Sequence, residues 1–156
     1  MPLINSSVSD IDRKIDTAIE FVNVRTLRKF SKSLTKNQLE SIPEMANCNF
    51  GWVVACVISV VDLENVKIIM KKSRNPFTSA KAWTYGKDIY FNSRKNHTLE
   101  SMIRTICHEL VHIADSKDEL NFGHGSNFNQ DQKQLTAPML FASLFFDYIE
   151  NRIVEK

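Results

Sequence analysis

Two histidines four residues apart, with a glutamate beside the first, carry the strongest chemical signal in the chain: His108-Glu109-Leu110-Val111-His112. On a helix, positions i and i+4 stand one above the other. Their imidazoles can therefore take one zinc ion from the same side. Glu109, next to that face, is placed to take a proton from a zinc-activated water as it attacks a carbonyl. That division of labour hydrolyses peptide bonds. A further histidine, in Gly123-His124-Gly125, is the candidate third ligand. Glycine on both sides permits the close approach or positive φ that brings a loop imidazole to a metal. Asp118 is the rival, because it holds the third-ligand position of a compact site, and Glu119 is a further alternative. The cofactor expected is one catalytic Zn²⁺. Cys107 adjoins His108, but its helical angle points away from the ligand face.

These side chains need a helix beneath them, and the local pattern supplies it. From Thr98 to Asp115, Leu99, Met102, Ile103, Ile106, Leu110 and Ile113 fall on one side at 100° per residue. Thr105, His108, His112 and Asp115 fall on the other, and Thr98 is a plausible N-cap. Ahead of this helix, Ala80 to Asn92 is aromatic and β-rich around Gly86-Lys87, which predicts a tight hairpin or a bulged strand. Trp52–Val61 and Asn65–Met70 are rich in Val and Ile and are expected to be strands. Asp10–Phe30 has helical spacing, and Ser33–Asn47 suggests a short second helix interrupted near Pro43. A final helix is expected over Pro138–Ile153, capped by Thr136. Helices, then strands, then helices indicate a single α+β domain over residues 1–156.

Composition excludes other classes. With 156 residues, 43% hydrophobic and 24% charged, the chain fits an ordinary globular domain rather than a disordered or low-complexity one. The longest apolar stretch, Trp52–Val61, is about half of what spans a bilayer, so no membrane partner is expected. MPLINSSVSD has neither a basic nor an apolar region of a secretory signal. Cys48, Cys56 and Cys107 show no paired spacing. Reduced thiols and an intracellular location, cytoplasmic or nuclear, are the expectation.

Charge is unevenly distributed. Between Asn65 and Thr98 lie Lys67, Lys71, Lys72, Arg74, Lys81, Lys87, Arg94 and Lys95 against a single acid, Asp88, which is 8 − 1 = +7. From Ser101 onward, five basic and eight acidic residues give −3. Lys71, Lys72, Arg74, Lys81 and Lys87 are therefore candidate contacts to single- or double-stranded DNA. Trp83, Tyr85, Tyr90 and Phe91 interleave with them as a stacking surface or, alternatively, as core and cleft lining. His97 is expected at the surface. Tyr148 is expected to serve core or surface packing, and the apolar cluster Met139–Phe146 to be buried against the histidine helix.

The stretches AWTYGKDIYFN, SRKNHTLESM, ICHELVHIAD and GHGSNF, in that order over roughly residues 80 to 130, resemble the SprT-like zinc metalloproteases. The resemblance is to a minimal core, without the zinc ribbon or basic tail of larger members. It implies His108, His112 and His124 as ligands and Glu109 as catalyst. It also implies a zincin-like fold, with an edge strand of a small mixed or antiparallel sheet beside the HExxH helix. Trp83, Tyr85 and Tyr90 would line the peptide cleft, extended substrate would add to the edge strand, and the repair of DNA–protein crosslinks would be the setting. The alternatives are a DNA-independent minimal zinc peptidase, such as a phage would encode, and a nucleic-acid- or protein-binding module with a non-catalytic zinc.

Overall fold

A computed structural model describes residues 3–5, 12–36, 50–78, 81–118 and 137–154. Among these the order is β1 (Ile4–Asn5), α1 (Asp12–Phe21), α2 (Val24–Ser33), α3 (Phe50–Leu63), β2 (Lys67–Lys71), β3 (Ala82–Tyr85), β4 (Asp88–Asn92), α4 (Leu99–Asp118) and α5 (Ala137–Val154). The α+β class is as expected. The helix anticipated between Ser33 and Asn47, and its break at Pro43, fall mostly outside the described residues.

The strands form one mixed sheet in the order β1-β2-β4-β3. β1 and β4 flank β2 in parallel, and β3 pairs antiparallel with β4. The expected hairpin is present. Its two-residue turn opens on Gly86 at φ 63°, a conformation that glycine adopts without strain. Ile68, Ile89 and Phe91 alternate onto the inner face and are completely buried.

Two elements differ from the sequence expectation. Where one helix is expected over Asp10–Phe30, the described residues from Asp12 onward form two, α1 and α2. Asn23 divides them by serving both ends: its amide nitrogen donates to the Glu20 carbonyl (2.7 Å), and its carbonyl accepts from the Thr26 N–H (2.9 Å). It thereby satisfies groups that each helix end leaves open.

The second difference is larger. Trp52–Val61 lies within a helix, α3, and not in a strand. Phe50, Val53, Val54, Val57, Val60 and Val61 are buried, while Trp52, Ala55 and Ser59 are exposed. That spacing is helical. Tertiary burial of a valine-rich stripe has outweighed the modest β preference of valine.

The core joins the inner sheet face to all five helices. An aromatic cluster ties α2 to α5: Phe30 meets Phe141, Phe145 and Tyr148 edge-on at 5.7, 5.3 and 5.7 Å. Phe50 of α3 lies 6.1 Å from Phe141. Tyr148 and the Met139–Phe146 stretch are thus packing elements, as expected. Cys56 and Cys107 are buried thiols; Cys48 lies outside the described residues. Among the described residues no helix is long and apolar enough to cross a membrane.

Candidate metal centre

α4 is built in two halves. Its N-terminus is capped as the sequence predicts: Thr98 Oγ1 accepts from the Ser101 N–H at 3.1 Å. Its apolar side (Met102, Ile103, Ile106, Cys107, Leu110, Val111, Ile113, Ala114) is buried and packs on α3 and α5. Cys107 belongs to this side, where burial pushes its thiol far above the ordinary cysteine range. It is not a ligand candidate.

The opposite side carries the histidines. Both are half-buried, with Nε2 of His112 3.1 Å from Nε2 of His108 and ring centroids 4.8 Å apart. Two nitrogens held about 2.0–2.1 Å from one tetrahedral zinc stand about 3.3 Å apart. The separation of the two imidazole nitrogens is close to that spacing. Glu109 is 8% exposed, and burial pushes its carboxyl up to about 7. A cation held by the imidazoles would act in the opposite direction.

Beside His108 and Glu109 is an open pocket of about 340 Å³, lined also by Lys81, Ala82, Arg104, Thr105, Met139 and Ala142. Its walls come from α4, from the start of β3 and from α5. Since β3 is the terminal strand of the sheet, an edge strand does lie beside the histidine helix. Arg104 reaches Glu100 at 3.8 Å and lies 4.8 Å from the Phe146 ring centre.

The other candidates separate into groups. His124 and Glu119 lie outside the described residues, and so does the side chain of Asp118. Among the described residues no cluster of three His, Cys, Asp or Glu side chains is placed to hold a metal. Trp83 and Tyr90 stack on each other away from the histidines, with centroids 5.7 Å apart and planes 12° from parallel. Tyr85 is 79% exposed at the hairpin end. Lys71, Lys72 and Arg74 line a separate groove with Trp83, whereas Lys81 lines the histidine pocket and Lys87 occupies the hairpin turn. The five cations grouped by sequence are thus not one patch.

His97 corrects another expectation: it is buried, not at the surface. Its Nε2–H donates to the Asn92 carbonyl at 2.8 Å, and its ring meets Phe91 edge-on at 5.1 Å. Asn92, unremarked in the sequence, is fully buried and organises the approach to α4. Its Oδ1 accepts from the Arg94 N–H at 3.0 Å and from the Ser73 N–H at 3.4 Å. The available signal was an amide residue ending a strand just before a turn.

Comparison with known proteins bears on the resemblance drawn from sequence. Residues 61–119 match the family model described as the eCIS core domain, that of extracellular contractile injection systems. The matched stretch runs from the end of α3 through β2, β3, β4 and α4. It contains His108, Glu109 and His112 and stops before His124. No curated protein and no solved structure gives a significant match. The resemblance to SprT-like proteases, drawn over much of the same stretch, is overturned by this match, and crosslink repair loses its support with it. What the chain is similar to, over residues 61–119, is the eCIS core domain.

Proposed function

We propose that the chain is a zinc-dependent metalloendopeptidase with a zincin-like arrangement. The observation that carries this reading is the 3.1 Å approach of the two Nε2 atoms on the open side of α4, with Glu109 between them in sequence and the pocket in front. Burying a glutamate costs stability unless hydrogen bonds or an opposite charge offset it, and a purely structural metal site would not call for a carboxyl at this position.

In this reading His108 and His112 hold the ion, and His124 supplies the third donor; Asp118 and Glu119 are the other candidates for that place. Zinc contributes Lewis acidity, acidifying water toward neutrality and polarising a carbonyl oxygen. Glu109 takes the proton of the attacking water and returns it to the departing amine. Along β3, the terminal strand of the sheet among the described residues, an extended peptide would lie beside the histidine pair.

Elemental analysis of the purified protein, combined with hydrolysis of unfolded protein substrates, tests the proposal. One zinc per chain and chelator-sensitive hydrolysis are expected. A protein that binds no zinc, or that cleaves equally well after complete chelation, would overturn it.

A further inference from the structure

The outward face of the sheet plays no part in the proposed hydrolysis. Strand alternation turns Ile68, Ile89 and Phe91 inward, so Ile69 and Lys71, Tyr90, and Trp83 and Tyr85 turn outward. Register places Ile69, Tyr90 and Trp83 in one row across three strands. The two aromatic rings in that row are stacked, and the Lys71 ammonium lies 5.4 Å from the Tyr90 ring centre.

Beside the row runs a groove of about 450 Å³, lined by Lys71, Lys72, Ser73, Arg74, Asn75, Thr78 and Trp83. The loop forming its far wall is held in place. Arg94 Nε donates to the Ser73 carbonyl at 2.9 Å, and the Phe77 N–H donates to Asn75 Oδ1 at 3.0 Å. Phe77 is 92% exposed on this loop and Tyr85 79% exposed on the hairpin. An apolar ring as open to water as Phe77, on the loop that walls a cationic groove, suits a ligand that offers both negative charge and flat faces.

We propose that this face binds single-stranded nucleic acid, with Lys71, Lys72 and Arg74 on the phosphates and bases stacked on Trp83. Unpaired bases present ring faces that a duplex hides, and a phosphate chain matches the three cations, Lys71, Lys72 and Arg74, that line the groove. An acidic peptide would satisfy the lysines but has nothing planar to offer Trp83.

The chain has two tryptophans, so Trp52→Phe leaves Trp83 as the sole reporter of the groove. Titrating that protein with oligothymidylate or oligouridylate should quench its emission, and affinity should fall steeply with salt. The two oligomers distinguish DNA from RNA as the source of the strand. In fluorescence anisotropy with labelled oligomers, the double variant Lys71→Glu/Arg74→Glu should bind at least tenfold more weakly. Trp83→Ala should lose roughly tenfold, as expected for one stacked base. The two cations are exposed, so the double variant should fold like the parent, with thermal unfolding as the check. Absence of quenching, equal affinity for a duplex, equal competition by polyglutamate, or undiminished binding by the double variant would each overturn the proposal.

Discussion

α3 and α4 are both helices that line one core, yet they fill it differently. α4 buries one side and leaves His108, His112, Thr105 and Arg104 on the other, where all but His112 line an open pocket. α3 buries a stripe made almost wholly of valine, and its exposed residues include Trp52, Ala55 and Leu63. Contrast between faces is what makes a helix both readable and chemically useful. A helix with little polar contrast contributes packing, and its period is hidden under its composition.

The contrast within α4 is most sharply tested on its polar side. Glu109→Gln keeps nearly the same shape and removes only the ability to accept the proton. Hydrolysis should fall about 10²–10⁴-fold, while zinc content and thermal unfolding stay close to the parent's. Unchanged turnover in that variant would remove Glu109 from the mechanism and leave the histidine pair as a binding site.

One residue later the same helix should respond in the reverse way. Leu110 is fully buried. Leu110→Ala should cost about 2–5 kcal/mol of stability through lost burial and the cavity left behind. Zinc content, measured well below the lowered unfolding midpoint, should be unchanged. Loss of zinc from a still-folded Leu110→Ala protein would mean that the two sides are not independent. A smaller effect is expected at the helix start, where Thr98→Ala removes the acceptor for the Ser101 N–H. It should cost about 1 kcal/mol, seen as a shift in the denaturation midpoint.

Much of the candidate site was legible because its signals are local. The i, i+4 histidines, the Thr98 cap and the turn at Gly86 each depend on a few neighbouring residues, and each is in place. Long-range consequences were not legible. Nothing near His97 in sequence announces that Asn92 and Phe91 will enclose it. Lys81 and Lys71 look alike in a count of charges, yet they line different cavities. The split of the N-terminal helix turns on Asn23, a single residue inside an apolar period that runs on without a break.

Ala55 sharpens the comparison of the two helices with the smallest effect and the clearest sign. It is exposed on α3, in the middle of the stretch whose Val and Ile content points to a strand. In a helix, Ala is the best residue at such a position, and Ala55→Gly should cost about 0.5–1 kcal/mol. Ala55→Val should also destabilise, by about half a kcal/mol, because a branched side chain loses rotamer freedom against the preceding turn. In a strand the valine would instead stabilise, since β-branched residues are favoured there. Chemical denaturation of the two variants therefore separates the conformations by direction rather than by size. A stabilising Ala55→Val would return this segment to the sheet, and the stripe from Phe50 to Val61 would need another partner.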